Sequence, residues 1–119
     1  MPHIDHFEIH AENIKISKSF YEELFGWAIE KDVKLDYWHI NTGCDKAIVG
    51  GLEKRTPHLQ GIVIYVSVSN IDDYVQKIER LGGKIVKQRT QVPSWGFYAI
   101  CKDLSGNTFG LWEDNKELF

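Results

Sequence analysis

Three ionisable side chains alternate near the amino terminus: His6, Glu8 and His10. On an extended strand such residues share one face, at about 6.6–6.8 Å between neighbours. Imidazole and carboxylate are the groups most often used to hold a divalent ion or to move a proton near neutral pH. Adjacent pairs of this kind can chelate one ion, and His3 and His39 could supplement them. Alternating His and Glu is nevertheless a weak metal motif by itself. A polar, watered cavity lined by Glu8 and the histidines, or a hydrogen-bonded couple of Glu8 with His6, explains the same residues more simply. Proton transfer without a metal is also open to Glu8 and His6, because a carboxylate beside an imidazole has a perturbed pKa. Nucleophilic catalysis has less support. Cys101 falls mid-strand, where a small core residue is expected, and Cys44 falls in a turn and should be exposed. No G-x-S-x-G, CxxC or glycine-rich phosphate loop is present.

The elements that position these groups follow from periodicity and turn residues. Residues 4–10 alternate and predict a strand, with Phe7 and Ile9 on one face and His6, Glu8 and His10 on the other. Residues 17–25 predict a helix capped by Ser17, with Phe20, Leu24 and Tyr21 in its buried stripe and Gly26 ending it. Strands are expected at 27–32, 36–42 and 47–54. Gly61 to Val68 is a β-branched run and predicts another strand. Asn70 should cap a helix whose apolar stripe is Ile71, Val75, Ile78 and Leu81, with Asp72 and Asp73 at its positive end and Gly82-Gly83 stopping it. Strands follow at 84–90, 96–102 and 108–113, the last two joined by the tight Asp103–Asn107 turn. The expected class is α+β, with helices on the outer face of a curved sheet and a concave inner face.

The two halves read alike at one common offset. Asn13-Ile14 falls on Asn70-Ile71, and Glu22, Leu24 and Gly26 fall on Glu79, Leu81 and Gly83. With some drift, Gly50-Gly51-Leu52-Glu53 falls on Gly110-Leu111-Trp112-Glu113. An internal duplication places equivalent half-sites against each other, and a ligand is then expected between them.

With 119 residues, 43% hydrophobic and 26% charged, the chain is expected to form one globular domain. A net charge of -3 and the lack of a basic stripe exclude a nucleic-acid partner. No apolar run approaches the ~20 residues that span a bilayer, so no membrane is expected. The first residues carry no basic and apolar leader, and the two cysteines are isolated, which predicts a cytoplasmic location with free thiols. Aromatic residues are 13% of the chain, an excess that suits an aromatic-lined pocket.

The run Phe20-Tyr21-Glu22-Glu23-Leu24-Phe25-Gly26-Trp27 resembles the helix-and-glycine signature of the vicinal oxygen chelate superfamily, which includes glyoxalase I, extradiol dioxygenases and bleomycin resistance proteins. Asp103-Leu104-Ser105-Gly106-Asn107 followed by Phe109-Gly110-Leu111-Trp112-Glu113 is similar to its terminal hairpin, and Val66–Asp72 to the start of its second module. The resemblance implies two βαβββ modules, about 3–55 and 60–115 of a single domain 1–119, forming a curved mixed sheet around a concave cavity. It also implies a homodimer. The superfamily's metalloenzymes hold their ion at four positions, which fall on His6, on or near Gly50, on Val63 and on Gly110. Three of these carry no ligating side chain, and one imidazole does not hold a catalytic ion. Glu53 and Glu113 follow nearby, but simple alternation turns both outward unless a bulge at Gly50-Gly51 reverses Glu53.

The resulting expectation is a protein without a cofactor that binds a small molecule independently of metal, resembling the bleomycin resistance class. The expected ligand-binding residues are His6, Glu8, Trp38, Tyr65, Trp95, Tyr98 and Trp112, with stacking by the aromatics and Glu8 facing a cationic group. The alternative is a glyoxalase-like lyase or isomerase that uses His6 and Glu8, with His10, as ligands of a divalent metal, or His6 and Glu8 as acid and base.

Overall fold

The computed structural model describes residues 1–116. Ten elements follow in chain order: β1 His3–Ala11, α1 Ile14–Phe25, β2 Ala28–Lys31, β3 Trp38–Asn41, β4 Val49–Lys54, β5 Gly61–Ser67, α2 Ile71–Arg80, β6 Lys84–Val92, β7 Gly96–Lys102 and β8 Thr108–Asp114. The class is α+β. The chain divides into two compact units, His6–Val63 and the remainder. Each runs strand, helix, three strands.

In the first unit the strands lie in the order β2-β3-β4-β1. β1 and β4 are parallel, and the other neighbours are antiparallel. Alternation along β1 sends Ile9 and Ala11 into a core with Ile29, Ile40 and Leu52, packed by Phe7, Ile14, Tyr21, Trp27 and Trp38. Helix α1 begins one turn earlier than the sequence predicts. Asn13, extended at φ -130°, accepts from the Ile16 amide at 3.1 Å and is the cap, while the Ser17 amide already donates to the Asn13 carbonyl. The Gly26 amide closes the helix on Glu22, at φ 71°.

The buried stripe of α1 also differs from expectation. Phe20 and Leu24 are 58% and 57% exposed, and only Tyr21 of the predicted stripe packs inward, stacked on Trp27 at 5.5 Å. The rotation has a local cause: the Glu22 carboxylate accepts from the Ile29 amide and from Lys18, which ties that edge of the helix to β2.

In the second unit the order is β5-β8-β7-β6, with β5 and β8 parallel. Helix α2 covers a core of Val68, Ile71, Val75, Ala99, Cys101 and Leu111, so Cys101 is buried as read, and Cys44 is exposed. Asn70 caps α2 on the Asp73 amide. Leu81, expected in the buried stripe, is 66% exposed because the helix has already ended and Leu81 is its cap. Gly82 then turns at φ 91°. The Asp103 carboxylate holds the following turn by accepting from the Ser105 and Asn107 amides.

Candidate functional site

The side chain of Leu52 decides which face of β4 is which. It is fully buried in the helix-side core, so Gly51 and Glu53 face the opposite way. Gly50 lies in register with Phe7, and a Cβ there would meet the Phe7 ring. Alternation in the sequence expects Gly50 on the ligand face and Glu53 turned outward. The structure gives the reverse without any bulge, because the parallel register carries β1's alternation directly onto β4. Glu8 pairs with Gly51, and His10 pairs with Glu53.

This brings together Glu8, His10 and Glu53, whose donor atoms all lie within 4.8 Å of one another. His10 Nε2 is 3.1 Å from Glu8 Oε1 and 4.0 Å from Glu53 Oε2. His10 Nδ1 is 3.1 Å from the Gly61 carbonyl oxygen. The side chains of His10 and Glu8 are 0% and 9% exposed, and that of Glu53 is 37% exposed. Burial pushes the Glu53 carboxyl up to about 7, with the charge of Glu8 adding to the rise and His10 opposing it. Burial disfavours protonated His10, but the hydrogen bond and charge of Glu8 outweigh it, and its pKa is raised.

A fourth group, which no sequence pattern marks, completes the cluster. The Tyr37 hydroxyl is hydrogen-bonded to Glu8, and burial beside that carboxylate raises the phenol's pKa. Its ring lies where a Cβ on residue 51 would stand, so only glycine leaves room for it. The β2–β3 loop aims it there. Asp32 accepts from the Lys34 and Leu35 amides and from His39 Nε2, at 2.7 Å from the last, and the Asp32 amide donates to the Tyr37 carbonyl. The His39 hydrogen bond leads in lowering the Asp32 pKa to about 2. His39 edges the Tyr37 ring and serves this loop rather than supplementing the cluster. Leu52 was the available signal for Glu53: it is the one large apolar residue in Gly-Gly-Leu-Glu, so it must take the core face. Nothing local in Asp36-Tyr37-Trp38 marked Tyr37.

The other expected site residues are placed as follows. His6 lies on β1, half-buried, outside the three-residue group. Trp38 packs in the helix-side core of the first unit, so it does not share a face with Glu8. In the second unit, Tyr65 lies over Gly110 on β8. Tyr98 pairs with Trp112 in register, on the face away from α2, with the Lys87 ammonium 5.2 Å from the Tyr98 ring. Trp112 Nε1 donates to Asp114. Trp95 is 48% exposed in the β6–β7 turn, next to Ser94 at φ 67°. Glu113 points to the α2 side, as alternation predicted, and accepts from the Ile71 amide at 2.8 Å and from Arg89.

Residues 3–111 match the family model of the Glyoxalase/Bleomycin resistance protein/Dioxygenase superfamily. The chain belongs to this superfamily. Its fold is similar to that of a glyoxalase/bleomycin resistance protein/dioxygenase superfamily member from Vibrio splendidus, with TM-score 0.70, 15% identity, and coverage of 97% of this chain and 100% of that one. It is also similar to methylmalonyl-CoA epimerase from Mycobacterium tuberculosis, with TM-score 0.66, 15% identity, and coverage of 97% and 89%. Comparison with curated proteins gives no match.

The four metal positions of the superfamily do not fit an ion here. The strand register identifies the second as Gly51, in place of the expected Gly50, because Gly51 stands to Glu8 as Gly110 stands to Tyr65. A side chain at Gly51 would collide with Tyr37, and one at Gly110 with Tyr65. Val63 offers no donor atom, so His6 is the one ligating side chain of the four.

Proposed function

We propose that this superfamily member binds a small organic molecule at the Glu8–His10–Glu53–Tyr37 cluster, without a metal at the superfamily's four positions. The observation that carries the reading is a recessed carboxylate pair set around one buried imidazole, with one member, Glu53, reaching solvent. Desolvated carboxylates favour a partner that brings positive charge or donor hydrogens. The ligand class is therefore an amine, amidine or comparable cationic compound. This keeps Glu8 in the role the sequence suggested and adds Glu53, with Tyr37 holding Glu8 in place.

Calorimetric titration with matched amines, alcohols and carboxylic acids, in chelator, tests this. The amines should bind, and Glu53→Gln should weaken them by at least about 10-fold, as expected for a desolvated charge contact. Preference for the acids, or amine binding indifferent to Glu53→Gln, sinks it.

A second reading is proton transfer of the lyase or isomerase type. It is favoured by the continuous path from buried His10 through Glu8 to the solvent edge at Glu53. An epimerase among proteins of this fold is compatible with it.

A further inference from the structure

We infer that Glu8, His10 and Glu53 form a three-ligand site for a divalent transition-metal ion, displaced along the strands from the positions the superfamily uses. The inference rests on the reading of this cluster as a cation receptor and names a second cation it takes.

The tautomer of His10 is the first support. The Gly61 carbonyl oxygen can only accept, so His10 Nδ1 carries a hydrogen and donates it at 3.1 Å. The remaining nitrogen, Nε2, then points its lone pair, or a second proton, at Glu8 and Glu53. A neutral imidazole so oriented would set its lone pair against carboxylate oxygens. A proton or a cation must lie between them, and in the metal-bound state it is the ion in place of that proton. A ring nitrogen fixed by a backbone carbonyl, with its partner nitrogen aimed at carboxylates, is the outer-shell arrangement that orients metal-binding histidines.

Rigidity is the second support. The His10 side chain is fully buried, and Glu8 is nearly so and is held by the Tyr37 hydroxyl. Two of the three ligands are thus fixed before any ion arrives. Glu53, at the solvent edge, is the entry path and the adjustable ligand. Donor atoms on a tetrahedral ion stand about 3.4 Å apart, so the group, already within 4.8 Å, needs only a small closure of the Glu53 side chain.

The donor set fixes the class of ion. One imidazole nitrogen with two carboxylates suits Mn²⁺, Fe²⁺, Co²⁺ or Zn²⁺ better than Mg²⁺ or Ca²⁺, which take oxygen throughout, and better than soft Cu⁺. Three protein ligands leave coordination positions open to water or to an organic ligand. Asp36, whose charge also acts on Glu53, adds to the attraction for a cation.

The test is calorimetric titration of chelator-stripped protein with Mn²⁺, Co²⁺ and Zn²⁺, with the visible absorption of bound Co²⁺ reporting the coordination. Wild-type protein should take one ion. Glu53→Gln and His10→Ala should weaken binding by more than about 100-fold, beyond the 10–100-fold typical of outer-shell changes, and His6→Ala should leave it within about 3-fold. Glu53→Gln, near the surface and of the same shape, serves as the decisive variant if His10→Ala does not fold. No saturable binding up to about 1 mM ion overturns the inference. So does binding that survives Glu53→Gln, or that is lost in His6→Ala. Amine binding in chelator is scored separately: if it persists while no ion binds, the small-molecule reading stands and the metal site falls.

Discussion

Glu53 and His10 should make the chelator-treated protein less stable as pH rises. Both pKa values are raised in the folded state, Glu53 from 4.5 to about 7 and His10 from 6.5 upward. The native state therefore binds more protons than the unfolded chain above about pH 4.5 for Glu53 and above about pH 6.5 for His10, and stability falls as those protons leave. The melting temperature should be higher near pH 5 than near pH 8. In Glu53→Gln the fall between about pH 5 and 6.5 should vanish, while the part due to His10 remains. Melting curves across pH check this, and an unchanged slope in the variant would remove Glu53 as its source. The same residues show what a sequence can tell. Alternation alone placed Glu8 and His10 on one face, because a strand has a fixed period. Glu53 needed the facing of a neighbouring strand, which Leu52 settles, and Tyr37 needed a loop conformation fixed by Asp32 and His39. Loop geometry of that kind leaves no periodic trace.

Helix α2 illustrates how an element is tied down by a residue far away in the chain. Its first amide, at Ile71, donates to the buried carboxylate of Glu113 on β8, and Arg89 on β6 neutralises the other oxygen at 3.0 Å. Two register shifts in the β6–β7 pair allow this: Lys87 takes the face of Tyr98, and Arg89 returns to the helix side, 3.6 Å from the centre of the Phe97 ring. Glu113→Ala should accordingly cost about 1–3 kcal/mol, since it leaves a buried amide and a guanidinium without their acceptor. Asn70→Ala, which removes an exposed cap, should cost about 1 kcal/mol. Urea denaturation ranks the two, and the reverse order would mean that Glu113 is incidental to α2. Element types were legible throughout because glycine stops, β-branched runs and the Asn70 cap act locally, although the Asn13 cap of α1 is expected at Ser17. The facing of α1 was not. Phe20 and Leu24 have the spacing of a buried stripe, but the Glu22 bonds to Lys18 and the Ile29 amide fix the rotation. A nearby polar anchor outweighed the apolar spacing.

At the scale of the whole molecule, the order strand, helix, three strands occurs in both units, with the same strand neighbours. Each unit also fills a missing side chain in the same way. Tyr37 lies against Gly51 in the first, and Tyr65 against Gly110 in the second. Gly110→Glu alone should therefore destabilise by about 1–3 kcal/mol or more, as overpacking does. Combined with Tyr65→Ala, which vacates the space, the loss should be less than the sum of the two single changes, and a double-mutant cycle by urea denaturation measures that coupling. Strict additivity would show that ring and glycine are independent. The arrangement also sets the order in which the site can be rebuilt. A carboxylate placed at either glycine by one substitution meets the ring that lies over it. The ring must leave first, so any route to an acidic side chain there runs through the tyrosine.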